Sequence, residues 1–367
     1  MTKRLRILLL GEYSNVHATL ASALRERGCE VCLVSNGDFW KNYPRDIDVS
    51  RKEGLLGGVR LYARILSLLP KFRGYDVVQL INPMFFELRA ERLLPLYKYL
   101  RRNNRHIVLG AFGMDYYWVS QCTERKHLKY SDFNIGNELR TDREAVAFRN
   151  DWIGTAKERL NRYLADDADG IVTGLYEYHT CYQPLFPEKT TFIPYPIKTS
   201  NEQPRPMSEK VKIFIGISRG RSAYKGTDIM ERALDRICAE YPDRTEIVKA
   251  EGVPFAEYKK MMEGSDVMLD QLYSYTPAMN ALLAMSKGIV VVGGGEEAHY
   301  KLLGENELRP IINVEPTEES VYEALRQIVL HPSELPTLKA QSMKYIHRHH
   351  DHLKVAERYL TLYNQLD

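Results

Sequence analysis

Ser218-Arg-Gly-Arg-Ser-Ala-Tyr-Lys-Gly-Thr227 separates two stretches of different periodicity. Val211–Ile217 before it is an apolar run and reads as a buried strand. Asp228-Ile-Met-Glu-Arg-Ala-Leu-Asp-Arg-Ile-Cys238 after it repeats apolar residues at helical spacing. Three cations and two glycines are thus set where a strand ends and a helix begins. A helix amino end offers unpaired N–H groups and partial positive charge, to which Arg219, Arg221 and Lys225 add full charges. Such a turn suits a diphosphate; a solvated basic turn has the same composition.

The same alternation runs along the chain. Arg6–Gly11, Glu30–Ser35, Asp76–Ile81, His106–Ala111, Gly170–Gly174 and Thr191–Pro194 read as strands, with helices at Val16–Arg27 and Phe86–Arg102. A polar, proline-bearing linker follows, and the rhythm restarts with Val211–Ile217, Thr245–Ala250, Val267–Leu272 and Ile289–Val292. The expectation is an α/β protein of two Rossmann-like, doubly wound domains facing a cleft. The domains span 1–198 and 211–350, with a linker at 199–210 and a final helix, 351–367, that crosses back to the first domain.

A chain of 367 residues is long enough for two cores. No apolar run approaches the roughly 20 residues needed to cross a bilayer. The amino end resembles a signal peptide, yet Gly11-Glu-Tyr-Ser follows the short apolar run and no small-residue cleavage site appears. A cytoplasmic, reduced protein is expected. Cys29 and Cys32 form a C-x-x-C, but in a strand they face opposite sides. Residues 1–198 carry 30 Lys and Arg against 23 Asp and Glu, and the remainder 21 against 25. A basic first half suits an anionic partner. Arg51–Arg73 is amphipathic and basic, fitting either an anionic membrane surface or a domain helix with a solvated cationic face. No nucleic-acid motif is present, so nucleic acid is not expected as a partner. His347-Arg-His-His-Asp-His352 lacks a full ligand set, so no metal is expected there and an exposed helix start is.

In open α/β sheets ligands bind beyond the carboxyl ends of strands. Three further segments qualify. In Asp270–Met285, Thr276 suits an N-cap and Pro277 the first helical position, leaving the N–H groups of Ala278 and Met279 for a phosphate; a capped buried helix is the alternative. Gly110–Trp118 sets Asp115 before Tyr116 and Trp118, a carboxylate with aromatics that suits a carbohydrate, or an Asp that caps the next helix. Gly11–His17 lacks G-x-G-x-x-G. Its His17 is a candidate acid, base or ligand contact, or a structural histidine.

Together these motifs resemble the retaining "glycosyl transferases group 1" family of GT-B enzymes. Arg219 or Arg221 with Lys225-Gly226 resembles the family's donor-diphosphate clamp, Gly264–Gln271 with Ala284–Val292 its donor-binding core, and Gly293-Gly-Gly-Glu-Glu its glycine-rich turn. Phe112-Gly-Met-Asp115 is similar to its His-Gly-x-Asp segment, and Ile193-Pro-Tyr-Pro-Ile197 to its hinge. Two glutamates of the family are replaced by Tyr275 and Leu283, and its histidine by Phe112. The resemblance implies transfer from a nucleotide sugar, with no other cofactor, to a glycan or lipid-linked acceptor in surface polysaccharide assembly. Asp115, with His17, would lie near the reacting centre, and Gly11, Tyr13, Tyr116 and Trp118 on the acceptor side. The missing glutamates leave open a protein that binds a sugar nucleotide or a protein partner without transfer. A nucleotide-sugar epimerase is the third reading.

Overall fold

The computed structural model describes residues 4–366 apart from 55, 126, 200–202, 208, 219 and 221. Its first sheet comprises β1 (Arg6–Leu10), β2 (Glu30–Ser35), β3 (Ile47–Asp48), β4 (Val77–Leu80), β5 (His106–Ala111), β8 (Gly170–Thr173) and β9 (Thr190–Phe192). Between β5 and β8, β6 (Asn134–Ile135) and β7 (Glu138–Leu139) form a separate antiparallel hairpin. The seven strands run parallel in the order β3-β2-β1-β4-β5-β8-β9. Ile7 to Leu10 are all fully buried, as a parallel strand covered on both faces requires.

The helices of this half are α1 (Val16–Glu26), α2 (Gly57–Leu68), α3 (Ala90–Asn103), α4 (Tyr116–Ser120), α5 (Arg143–Trp152), α6 (Ala156–Asp167) and α7 (Tyr176–Tyr182). The second sheet, again all parallel, is built from β10 (Val211–Ile217), β11 (Thr245–Glu251), β12 (Val267–Leu269), β13 (Val290–Gly293) and β14 (Ile312–Asn313) in the order β11-β10-β12-β13-β14. Its helices are α8 (Ser222–Lys225), α9 (Thr227–Glu240), α10 (Phe255–Glu263), α11 (Met279–Ser286), α12 (Glu297–Leu303), α13 (Glu318–Leu330) and α14 (Leu335–Tyr345). The chain ends in α15 (His352–Gln365).

The chain divides into two compact units: Met1–His127 with Ala147–Pro196 and His352–Asp367, and Leu128–Val146 with Ile197–Asp351. The expected boundaries need one substantial correction. Leu128–Val146, assigned from sequence to the first domain, leaves it and packs on the second. The final helix lies in the first unit, where Glu357 pairs with Arg27 at 2.7 Å and Tyr363 Oη donates to Gln79 Oε1 at 2.7 Å. The two outgoing segments of the second unit are tied together: Ile197 N donates to the His350 carbonyl at 2.7 Å, and Thr199 Oγ1 to Asp351 Oδ2 at 2.5 Å.

The histidine cluster is not an exposed helix start. Ile346–His350 is a π-helical turn in which His350 is buried and His349 Nε2 lies 2.7 Å from Glu305 Oε2. Arg348 donates to the same carboxylate at 2.9 Å. Hydrogen bonds from His349, from the Leu308 and Glu307 amides and from Arg348 outweigh burial and hold the Glu305 carboxyl down at about 2. Among the described residues no group of three or more His, Cys, Asp or Glu is arranged to hold a metal ion.

Strand order reverses between β1 and β4 in the first sheet and between β10 and β12 in the second. A crevice opens at such points beyond the carboxyl ends of the strands, because the connecting helices depart to opposite faces. Both points carry the segments that the sequence singles out.

Candidate functional site

In the first unit the chain leaving β1 passes directly over the end of β4. At Gly11 φ is +84°, and a Cβ there would lie 2.3 Å from Ile81 Cγ2, so only glycine fits. Beyond it opens a pocket of about 280 Å³. Gly11, Glu12 and Tyr13 line it from the β1 end, and Ile81, Asn82 and Glu87 from the β4 end. Asp151, Trp152 and Lys157 contribute from further along the chain. Glu12 accepts hydrogen bonds from His17 N (3.3 Å) and Ala18 N (2.7 Å) at the start of α1, while burial pushes its carboxyl up to about 8. Tyr13 packs against Gly113, where a Cβ would lie 3.0 Å from the tyrosine ring.

Of the acceptor-side candidates, Gly11 and Tyr13 line this pocket, whereas Tyr116 and Trp118 do not. Both are buried among helices: Tyr116 N donates to Asn161 Oδ1 at 2.9 Å, and the Trp118 ring meets that of Tyr178 at 5.3 Å. Glu12, Glu87, Asn82 and Lys157 escaped the sequence reading: the first three are lone polar residues in loops after strands, Lys157 lies on the first turn of α6, and none carries a periodic signal.

The two catalytic candidates are held in structural roles. His17 is fully buried, with Nδ1 2.9 Å from the Gly11 carbonyl and Nε2 3.1 Å from Gln79 Nε2. Gln79 Oε1 accepts from Tyr363, which leaves its amide N–H to donate to Nε2; the histidine proton is therefore assigned to Nδ1. Burial lowers the imidazole to about 3, so the ring stays neutral and fastens the β1–α1 turn. Asp115 is the N-cap of α4 and fully buried, accepting from Trp118 N and Tyr182 Oη, each at 2.8 Å. Burial raises its carboxyl to about 7. The helix-capping alternative describes it. Phe112 packs edge-on between His17 and Tyr195.

In the second unit the segments after β10, β12 and β13 pack against one another. Gly226 has φ +73°, and a Cβ there would lie 2.8 Å from Leu272 Cβ; Leu272 N donates to the Lys225 carbonyl at 3.0 Å. A Cβ on Gly294 would lie 2.2 Å from the Ser274 carbonyl oxygen. Lys225 thus ends α8 beside the loop that leads into α11. Arg219 and Arg221 lie outside the described residues.

The expected start of α11 shifts. Thr276 is buried, its carbonyl accepting from Ser274 Oγ at 2.6 Å, and the chain stays extended through Ala278 (ψ −179°). Ala278 is the N-cap, with no side-chain capping bond, so the free amides are those of Met279, Asn280 and Ala281 in place of Ala278 and Met279.

The segment Leu128–Val146 forms a strap over these loops. Arg140 donates to the carbonyls of Ala223 (2.8 Å) and Tyr224 (3.1 Å) at the carboxyl end of α8, and its guanidinium stacks 3.8 Å from the centre of the Tyr273 ring. Tyr224 Oη donates to Asp132 Oδ2 at 2.6 Å. Tyr130 stacks on Tyr275 at 4.6 Å and donates from Oη to Glu296 Oε1 at 2.9 Å. Tyr275 is therefore committed to packing, and Glu296, which the sequence reading names only within the glycine-rich turn, is a carboxylate at the β13 end. Arg140→Ala removes charged donors from the carbonyls of Ala223 and Tyr224 and, at 3.3 Å, of Ser131, the two shorter bonds contributing roughly 1.5–3 kcal/mol each. It should destabilise the second unit by about 3 kcal/mol or more and speed amide exchange in Ser222–Lys225, measured by hydrogen–deuterium exchange; unchanged exchange there would show that the strap does not fix the turn.

No family model matches the chain, and no curated protein sequence matches it. Solved structures do. Sucrose-phosphate synthase from Thermosynechococcus elongatus superposes with TM-score 0.62 at 14% identity, covering 99% of both chains. HepE from Anabaena, solved with UDP and glucose, gives 0.58 at 12%, covering 99% of this chain and 100% of that one. The catalytic domain of starch synthase IV from Arabidopsis thaliana, bound to ADP and acarbose, gives 0.59 at 10%, covering 99% of both. Two parallel, doubly wound sheets, each with its own reversal of strand order, and likeness along the whole chain give this protein the GT-B fold.

Proposed function

We propose that this protein transfers a sugar from a nucleotide-sugar donor to a glycan or lipid-linked acceptor. A fold hosts many functions, so the proposal rests on the site. The observation that carries it is the packing of the Lys225–Gly226 turn against the loop leading to the uncapped amino end of α11, at the strand reversal of the second sheet. In transfer, the bond from the sugar's anomeric carbon to the diphosphate breaks as an acceptor hydroxyl bonds to that carbon and gives up its proton. Negative charge grows on the departing diphosphate. The Lys225 ammonium and the amides of Met279 to Ala281 are the groups proposed to meet it, fixed before the reaction begins. In the first unit, Glu12, Asn82 and Glu87 beside Trp152 offer the hydroxyl partners and aromatic surface of an acceptor sugar. The fold's occurrence in HepE solved with UDP and glucose supports the donor class. A hexosyl group, retention of configuration and a role in surface polysaccharide assembly follow the family resemblance, with the donor a substrate and no cofactor required.

The test is a thermal-shift titration with UDP, ADP, GDP and UDP-glucose. At 100-fold the dissociation constant a ligand adds about 2.7 kcal/mol, which for domains of this size raises Tm by roughly 5–10 °C. No shift with any of them would overturn the proposal. Tyr275, buried where the family has a carboxylate, favours a second reading in which the nucleotide sugar is held without transfer. A Tm rise with no donor consumption across varied acceptors would select it.

A further inference from the structure

We propose that the surface formed by α2 and the Phe39–Lys41 turn binds an anionic lipid membrane. The first contribution is α2 itself. Its inner face is fixed in the core by Leu61 and Ile65, both nearly or fully buried. A helix that merely covers a sheet would be polar on the other side. Instead Val59, Ala63 and Leu66 are exposed at spacings of four and three, a second apolar stripe facing away from the core, with Leu56 exposed just before the helix.

The second contribution is charge. Arg60, Arg64, Lys71 and Arg73 are exposed along and just after this helix, and among the described residues none of them is in an ion pair. From Gly54 to Tyr75 the sequence has no Asp or Glu. Apolar side chains with cations along the same helix, and acids only outside it at Glu53, Asp76 and the Lys41-paired Asp38, match a surface that is apolar below and anionic at its headgroups. A solvated protein surface would mix both signs.

The third contribution is the turn after β2. Phe39 is 61% and Trp40 64% exposed, held there by left-handed backbone at Asp38 (φ 58°), Phe39 (φ 57°) and Asn42 (φ 49°). Left-handed geometry is costly for a bulky aromatic residue and persists where its surroundings impose it. Asp38 imposes it by accepting from Ser14 N at 2.8 Å and Lys41 Nζ at 2.7 Å. Exposed aromatics with an amphipathic ring are enriched at the membrane interface. This turn and the amino end of α2 both follow strands of the first sheet, β2 and β3, and so share its carboxyl side. Phe39 also lines the first unit's pocket, which brings the membrane-facing surface to the edge of that pocket.

This inference does not rest on sugar transfer. It is tested by co-sedimentation of the full chain with vesicles of phosphatidylcholine and phosphatidylglycerol in equal parts, against phosphatidylcholine alone. Binding to the anionic vesicles is expected, weakening at least tenfold between 50 and 500 mM salt as the Debye length contracts. Arg60→Glu with Arg64→Glu, and separately Val59→Ser with Leu66→Ser, should each lower the partition coefficient at least tenfold while Tm and the nucleotide-induced Tm shift stay unchanged. Trp118 and Trp152 are buried, so Trp40 reports the contact: its emission should shift to the blue on adding anionic vesicles, and Trp40→Phe should abolish the shift. No sedimentation at 50 mM salt, or binding unaffected by both double variants, would overturn the proposal. A concentration-dependent dimer that buries Trp40 without lipid would instead make this face a contact between copies.

Discussion

Lys225→Ala is expected to lower turnover of the sugar donor by roughly 10²–10³, the range seen when one preorganised donor to a developing charge is removed. Lys225 is the cation of the basic turn among its described residues, and two backbone contacts place that turn. The turn is placed by the Lys225 carbonyl, which accepts from Leu272 N at 3.0 Å, and by the close approach of Gly226 to Leu272. The variant keeps both backbone contacts, so the turn should stay in place while UDP affinity falls at least tenfold. Lys225→Arg keeps the charge and should recover part of the loss. UDP affinity and turnover unchanged in Lys225→Ala would place the diphosphate elsewhere.

The largest stability effect should come from the opposite end of the same sheet. Lys339 Nζ lies 2.5 Å from Asp266 Oδ1, and both side chains are only 3% exposed. The other carboxylate oxygen accepts from Lys212 N at 3.0 Å, so the aspartate is tied to the start of the sheet and cannot turn to water. Lys339→Ala strands this carboxylate in the core. Breaking one side of a buried pair costs about 3–5 kcal/mol, far more than the intact pair contributes over an apolar substitute. Urea unfolding should show that loss in the second unit's transition. The double variant Lys339→Met, Asp266→Leu should recover most of it. A single-variant loss below about 1 kcal/mol would mean that water reaches the carboxylate.

Much of the scaffold was legible because parallel strands covered on both faces are largely apolar runs, as at Arg6–Gly11, His106–Ala111 and Ile289–Val292. The glycines at 11 and 226 were legible as turns for the same local reason. The roles of His17 and Asp115 were not. Sequence position put both beyond strand ends, but whether such a residue faces a ligand or the core depends on partners distant in the chain. Gln79 and Tyr363 stand behind His17, and Tyr182 behind Asp115. The pocket acids Glu12 and Glu87 are brought together by the parallel pairing of β1 with β4, not by any spacing.

The sequence by itself determined the two doubly wound sheets and the basic turn that ends the first strand of the second, because periodicity and turn chemistry are local properties. Only the tertiary structure decided that Leu128–Val146 abandons its own unit to clasp that turn through Arg140, Asp132 and Tyr130. The excursion has no linker composition to announce it: its residues alternate charge and apolar character as any surface segment does, and the free energy that holds it comes from bonds formed with residues about 80 to 170 positions further along.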